Sequence, residues 1–283
     1  MNVSVVCTTY NHPRWLEKVI WGYAEQSHRE FELVIADDGS TGETRHVINE
    51  LRGQVNFEII HVWQKDTGFR KCQALNKAIA ATNYDYLVFT DGDCIPRNDF
   101  LATHVRLSRK NCFLSGGCVR LPIGISRLLS HEDVRQGRAT NISWLRSQGM
   151  PSVPKLRMLT RSRVLAYVMD SVSTTQASFN GHNTSVWKQD VIRVNGFDER
   201  MQYGGLDREL GERLLNAGMM GVRIRHRAVC VHLDHHRPYK DTDLVAKNRS
   251  IRRHTLKSGH AWAPQGLDQH LKCDTEQPAL RAS

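Results

Sequence analysis

The chain lacks paired cysteines, long apolar runs, internal repeats and low-complexity tracts. Its seven cysteines stand apart at Cys7, Cys72, Cys94, Cys112, Cys118, Cys230 and Cys273, with no Cys-x-x-Cys among them. That spacing excludes a zinc knuckle and leaves the thiols to read mainly as small buried hydrophobes. An odd number of cysteines in a chain of this length points to a reducing, cytosolic setting. The opening residues, MNVSVVCTTYNHP, contain neither the basic region nor the apolar region of a secretory signal. No stretch approaches the roughly 20 apolar residues that a membrane-crossing helix needs. The expected location is therefore cytoplasmic, soluble or peripheral on the inner face of the cell membrane. There is also no G-x-S-x-G, so nothing marks a nucleophilic serine.

What is present begins with an ordinary globular balance, 40% apolar and 24% charged over 283 residues. That suits one large α/β domain or two closely joined halves. The formal charge of +10 is unevenly placed. It gathers in a middle segment (Arg127, Arg135, Arg138, Arg146, Lys155, Arg157, Arg161, Arg163) and again from Arg237 to Lys257. Such an excess fits nucleic acid, an anionic membrane surface or an anionic substrate.

Hydrophobic periodicity supplies the architecture. Residues 2–8 form a β-branched apolar run and read as a buried strand, followed by a helix over Arg14–Glu25. FELVIADDGS reads as a second strand, Thr44–Leu51 as a helix and Phe57–Trp63 as a third strand. Cys72–Ala81 is expected to be helical and Tyr84–Thr90 a fourth strand. Strands that alternate with helices predict a mainly parallel sheet with helices on both faces. Further on, FNGHNTSVW reads as extended, Leu206–Ala217 as a helix, VRIRHRAVCVHL as one strand, and the tail beyond Pro264 as loose. The expected divisions are 1–119, a basic insert or lid over 120–175, a second half over 176–245, and a C-terminal helix and tail over 246–283.

The polar clusters TTYN, DDGS and DGDC each follow a predicted strand. In an open α/β sheet they converge on the rim where ligands bind. Asp91 and Asp93, on either side of Gly92, can place one carboxylate on a divalent metal and the other on a ribose or a metal-bound water. Magnesium and manganese take such oxygen ligands and share them with substrate phosphates. Asp37 and Asp38 can accept hydrogen bonds from a base or a ribose, or can simply form an Asx-turn.

Five blocks carry a family resemblance: VSVVCTTYNHPRWLEKVI, FELVIADDGST, GFRKCQALNKAI, YLVFTDGDCIP, and FNGHNTSVWKQDVIRVNGFDERMQYGGLDRELGERLLNAG. In order and spacing, over residues 2–240, the chain resembles family 2 glycosyltransferases of the GT-A fold. That fold is a Rossmann-like, mainly parallel sheet with an acceptor-binding half fused to it. The resemblance implies an inverting transfer of a hexose or N-acetylhexosamine from a UDP-sugar or other nucleotide-diphosphate sugar. It further implies a divalent metal, Mn2+ or Mg2+, and a glycan or lipid-linked glycan acceptor. On that basis Thr9 and Tyr10 line the base pocket, and Asp37 and Asp38 serve the base or ribose. Arg70 and Lys71 meet the diphosphate, Asp91 meets the ribose or the metal, and Asp93 ligates the metal. His232 completes the metal site, with His235 and His236 as alternatives. The family's Gly-Gly-Glu-Asp reads Gly204-Gly205-Leu206-Asp207 here, which makes Asp207 the expected general base and Glu209 its substitute.

Three other readings compete, one of them a metal-dependent hydrolase, which would release sugar from the donor without an acceptor. A nucleotidyltransferase would carry a Gly-rich basic loop where this chain has TTYNHPRW. A nucleic-acid-binding protein would need basic and aromatic residues on one surface, whereas the expected rim is acidic, so no nucleic acid is expected as a partner.

Overall fold

The computed structural model describes residues 1–235 and 242–271. His236, Cys273 and the basic residues Arg237 and Lys240 lie outside the described residues. The described residues form ten strands: β1 (Val3–Thr9), β2 (Phe31–Asp37), β3 (Glu58–Trp63), β4 (Tyr86–Asp91), β5 (Cys94–Pro96), β6 (Cys112–Ser115), β7 (Gly117–Arg120), β8 (Thr184–Trp187), β9 (Met220–Arg223) and β10 (Val229–His232). The helices are α1 (Pro13–Ala24), α2 (Gly42–Arg52), α3 (Lys71–Ala80), α4 (Phe100–Leu107), α5 (Ile123–Leu128), α6 (His131–Arg135), α7 (Ile142–Ser147), α8 (Arg163–Val172), α9 (Lys188–Arg193), α10 (Leu206–Asn216) and α11 (Thr242–Ser258).

A seven-stranded sheet runs in the order β3-β2-β1-β4-β8-β6-β9. Strands β3, β2, β1 and β4 are mutually parallel, and β8 enters antiparallel between β4 and β6. The central strands are apolar throughout because both faces are covered. Val3, Val5 and Cys7 of β1 join one core with Leu33 and Ile35, while Val6 joins a second core with Val34, Leu87 and Phe89. This is the two-residue alternation of a pleated strand. The register sets Thr8 beside Asp91 and Thr9 beside Asp37, so the polar strand ends share one rim. Strand order reverses on either side of β1, and the rim there is the crevice that such sheets offer to ligands.

A smaller sheet, β5-β10-β7, sits against that rim and carries Asp93, Cys94, Cys118 and His232 at or beside its strands. The expected single strand over VRIRHRAVCVHL is instead two. Strand β9 pairs with β6 in the large sheet, β10 pairs with β5 and β7 in the small one, and a turn at Arg225–Arg227 separates them. FNGHNTSVW is extended only at its end, over β8.

The basic segment after β7 is less polar inside than its charge suggests. Leu121, Ile125, Leu129, Val134, Leu145, Leu156 and Leu159 are buried in the first core. The expected loose tail is also partly fixed: Leu267 is buried in the second core, and its amide donates to the Asn195 carbonyl. An apolar anchor three residues past Pro264 is enough to dock a polar segment. Among the described residues no helix is long and apolar enough to cross a membrane.

Candidate active site

A cavity of about 810 Å³ opens at the rim. Its walls come from the ends of β1, β2 and β4, from the turns after β6 and before β8, from the start of α10 and from the end of β10. The Asp91-Gly92-Asp93 turn is its floor. The Gly92 amide donates to the Thr8 carbonyl at 2.7 Å. A Cβ on Gly92 would come within 2.8 Å of that same oxygen, so the close approach requires glycine.

The two turn acids face different partners. Asp91 Oδ1 accepts from the Thr8 hydroxyl at 2.6 Å and from Lys71 Nζ at 2.7 Å. Burial would raise the Asp91 pKa, but the Lys71 ammonium outweighs it and holds the carboxyl below its ordinary value. Burial likewise opposes the charge on Lys71, and Asp91 and Asp207 overcome it, so the lysine stays protonated. Asp93 Oδ2 lies 3.2 Å from His232 Nε2 and 2.9 Å from His235 Nε2. There too burial works against the ionised form, and the two imidazoles win, keeping Asp93 well below the usual carboxylate range.

Asp93, His232 and His235 present one oxygen and two nitrogens, all within 4.8 Å of one another. Of the expected histidines, His232 is joined by His235 rather than replaced by it. His12 comes up from the first strand-helix turn, its ring centroid 4.6 Å from that of His235. The arrangement is a donor set for a divalent cation. Imidazole suits zinc or iron and carboxylate suits magnesium or manganese, so the set admits several divalent cations.

Asp207 lies in the first turn of α10 and lines the same cavity. Gly204 and Gly205 precede it with φ of 102° and 80°, a left-handed pair that delivers the chain into the helix. Asn248 of α11 fixes this turn by donating to the carbonyls of Gln202, Tyr203 and Gly204 at 2.9–3.0 Å. Asp207 Oδ1 is buried and has no hydrogen-bond partner among the described residues. Burial raises the Asp207 pKa above its ordinary value, against the pull of Lys71. Leu206, which stands where the family's glutamate is expected, is 5% exposed and belongs to the second core, so it adds no acid.

Several expected residues take other positions. Thr9, Tyr10, Asp38 and Lys71 line the cavity. Asp38 Oδ1 accepts from Gln64 Nε2 at 2.7 Å and Oδ2 from the Arg70 amide at 2.8 Å. Asp37 points away from the cavity: its Oδ2 meets His61 Nε2 at 2.8 Å and its Oδ1 accepts from the Ser40 amide. Consecutive residues at a strand end face opposite sides, so both sit at the rim but only Asp38 faces the cavity. Arg70 contributes its backbone, while its guanidinium turns back to the Lys65 carbonyl at 3.0 Å. Glu209 is buried in an ion pair with Arg213 at 2.8 Å and is removed from the cavity, so it is no substitute base.

Other lining residues were not picked out from the sequence. Arg120, Lys155 and Arg225 add positive charge, so the rim is mixed rather than acidic alone. Asn180 and His182 also line it. Their FNGHN block carries the family pattern, and that was the available signal. Lys155 is visible in the sequence only as one charge of the basic middle segment, and nothing local marks Arg225; both reach the site through the tertiary fold.

Known proteins share the sequence pattern and the fold. Residues 4–162 match the model described as glycosyl transferase family 2, and residues 169–236 match the N-terminal domain of galactosyltransferase. Validoxylamine A glucosyltransferase of Streptomyces hygroscopicus subsp. jinggangensis is 27% identical over 229 residues, covering 75% of this chain and 51% of the relative. The uncharacterized glycosyltransferase YfnE of Bacillus subtilis is 24% identical, covering 88% of this chain and 69% of the relative. The alignments with the first three curated relatives span 28%, 51% and 47% of their own lengths. Among solved structures, S. aureus TarS 1–349 in complex with UDP-GlcNAc superposes with a TM-score of 0.60 at 15% identity, over 95% of this chain and 69% of that one. Mannosyltransferase PcManGT from Pyrobaculum calidifontis, in complex with GDP-Man and Mn2+, gives 0.54 at 20% identity, over 91% and 62%. At these identities the likeness establishes the shared fold.

Proposed function

Because this chain belongs to glycosyl transferase family 2, we propose that it moves a sugar from a nucleotide-diphosphate donor to an acceptor hydroxyl with inversion. The observation that carries the proposal is a convergence of three features in one cavity. The paired turn acids Asp91 and Asp93, the imidazoles His232 and His235, and the buried carboxylate of Asp207 all line the same space.

Thr9, Tyr10 and Asp38 take the nucleoside end of the donor, and Asp91, held by Lys71, takes the ribose. Asp93, His232 and His235 would hold the divalent cation, with manganese the first to test because the solved mannosyltransferase of this fold carries it. When bound, the cation neutralises charge on the departing diphosphate as a Lewis acid. Lys71, already positive beside Asp91, adds to that neutralisation. Asp207 removes the proton of the attacking hydroxyl. Its raised pKa makes it a stronger base than an ordinary aspartate. The helix N-terminus beneath it favours the negative form and limits the rise.

A hexose or N-acetylhexosamine from a UDP-sugar is the first donor class to test, followed by GDP-mannose. A relative named for teichuronic acid biosynthesis favours a cell-surface glycan as acceptor, soluble or lipid-linked. Residues 1–119 would form the donor half and 176–245 the acceptor half, in a protein working at the cytoplasmic side.

The test is nucleoside diphosphate release from a panel of UDP- and GDP-sugars with Mn2+, using mixed polysaccharide acceptors, for the wild type and Asp207→Asn. Release from one donor, lost in Asp207→Asn, supports the reading. Equal release by both proteins, or none from any donor, counts against it.

A further inference from the structure

Helix α8 turns its apolar side outward. Ala166 and Asp170 are its buried residues, and Asp170 is its anchor. One Asp170 oxygen accepts from the His226 amide at 3.0 Å, and the other accepts from Arg227 Nε at 2.8 Å. Opposite this polar anchor, Val164, Val168 and Val172 form a stripe at i, i+4 and i+8, with Leu165 and Tyr167 beside it. Val164 is 75% exposed, Val172 72% and Tyr167 60%. A surface helix ordinarily buries such a stripe against its own core.

The surroundings of α8 are cationic. Between Asp133 and Asp190 the only acidic residue is Asp170, which is buried and paired. Lys155, Arg157, Arg161 and Arg163 are exposed on or just before the helix. Among the described residues none of these four enters an ion pair.

We infer that α8 is a membrane-docking helix that lies in the interface of an anionic bilayer, its valine stripe among the acyl chains and its flanking cations on the headgroups. An outward apolar face rimmed by Lys and Arg is the composition of an interfacial helix. A second copy of the chain fits this face poorly, because pairing would bring two sets of uncompensated cations together. The position is also apt. Lys155 on one side of α8 and Thr175 and Gln176 on the other line the cavity, so docking would set its mouth at the headgroups. The inference rests on the geometry and charge of α8 and stands independently of the transferase reading.

The test is co-sedimentation of the full chain with vesicles of phosphatidylcholine alone or with 30% phosphatidylglycerol. At low salt the anionic vesicles should bind at least tenfold more strongly than the neutral ones, and 500 mM NaCl should reverse most of that gain. The double substitution Val164→Asp/Val168→Asp should cut binding at least tenfold without lowering the melting temperature, since both side chains face solvent. Arg161→Gln/Arg163→Gln should remove the preference for anionic lipid while leaving the fold unchanged. No binding to anionic vesicles overturns the inference, as does full retention of binding by the valine double variant. A concentration-dependent dimer that Val164→Asp/Val168→Asp breaks, in protein that ignores vesicles, would assign the face to a second copy and overturn it equally.

Discussion

Replacing Glu209 with Gln should damage the fold and spare the chemistry. Glu209 and Arg213 lie one turn apart on α10, both almost fully buried. Arg213 Nε donates to both carboxylate oxygens at 2.9 Å, and its NH2 donates to Glu209 Oε2 at 2.8 Å and to the Gly196 carbonyl at 2.6 Å. Thr255 of α11 donates to Glu209 Oε1 at 3.0 Å, which ties two helices to one carboxylate. Gln keeps the shape but leaves a buried guanidinium without its counter-charge, a loss of about 3–5 kcal/mol for pairs of this kind. For a chain of this size that corresponds to a fall in Tm of roughly 6–20 °C. The double variant Glu209→Leu/Arg213→Met removes both charges. Val194 O keeps the Ala263 amide, while the Gly196 carbonyl loses a donor, leaving a residual cost of about 1–1.5 kcal/mol. Urea denaturation of the three proteins measures these differences. Turnover per folded molecule should be nearly unchanged in Glu209→Gln. A variant that is fully stable yet inactive would refute the reasoning and restore Glu209 as a base.

Other outcomes follow from the same geometry. Asp207→Asn should lower kcat about 10²–10⁴-fold, the usual range for a positioned base. Its Tm should not fall, because burial disfavours the ionised carboxylate: the raised folded-state pKa costs stability at pH above the ordinary carboxylate value, and the amide removes that cost. In the wild type, kcat/KM should fall on the acid side with a midpoint above the ordinary aspartate pKa, and this limb should be absent from the residual activity of Asp207→Asn. Gly181→Ala would place a Cβ within 2.6 Å of Asp207 Oδ1. Displacing the base in this way should reduce kcat by about ten- to a hundredfold while donor KM changes little, as steady-state kinetics with the identified donor would show.

The large sheet was legible because its strands are buried on both faces and read as unbroken apolar runs that stop at acids. Helix α10 was legible because Leu206, Leu210 and Leu214 recur at helical spacing. The side-chain direction of adjacent acids was not. Asp37 and Asp38 look equivalent in sequence, and only the packing of β3 beside β2, which lets His61 reach diagonally to the Asp37 carboxylate, turns one of them away. Glu209 resembled a second base until α10 met α11 and filled its far side with Arg213 and Thr255. The split of β9 from β10 depends on strand pairing across more than a hundred residues of sequence, which local pattern does not carry. The pairing of His232 with His235 on one carboxylate likewise needed the loop after β10 to fold back over Asp93.

The most direct test of the central claim is a thermal-shift titration of UDP and GDP, each with and without Mn2+, on the wild type and on Asp93→Ala. The account predicts that one nucleotide stabilises the wild type only when Mn2+ is present. At a hundredfold excess over Kd that stabilisation is about 2.7 kcal/mol, or a rise in Tm of roughly 5–10 °C. Asp93→Ala should lose it. A nucleotide shift of equal size without metal, or one retained in full by Asp93→Ala, would contradict the assignment of Asp93, His232 and His235 as the cation site.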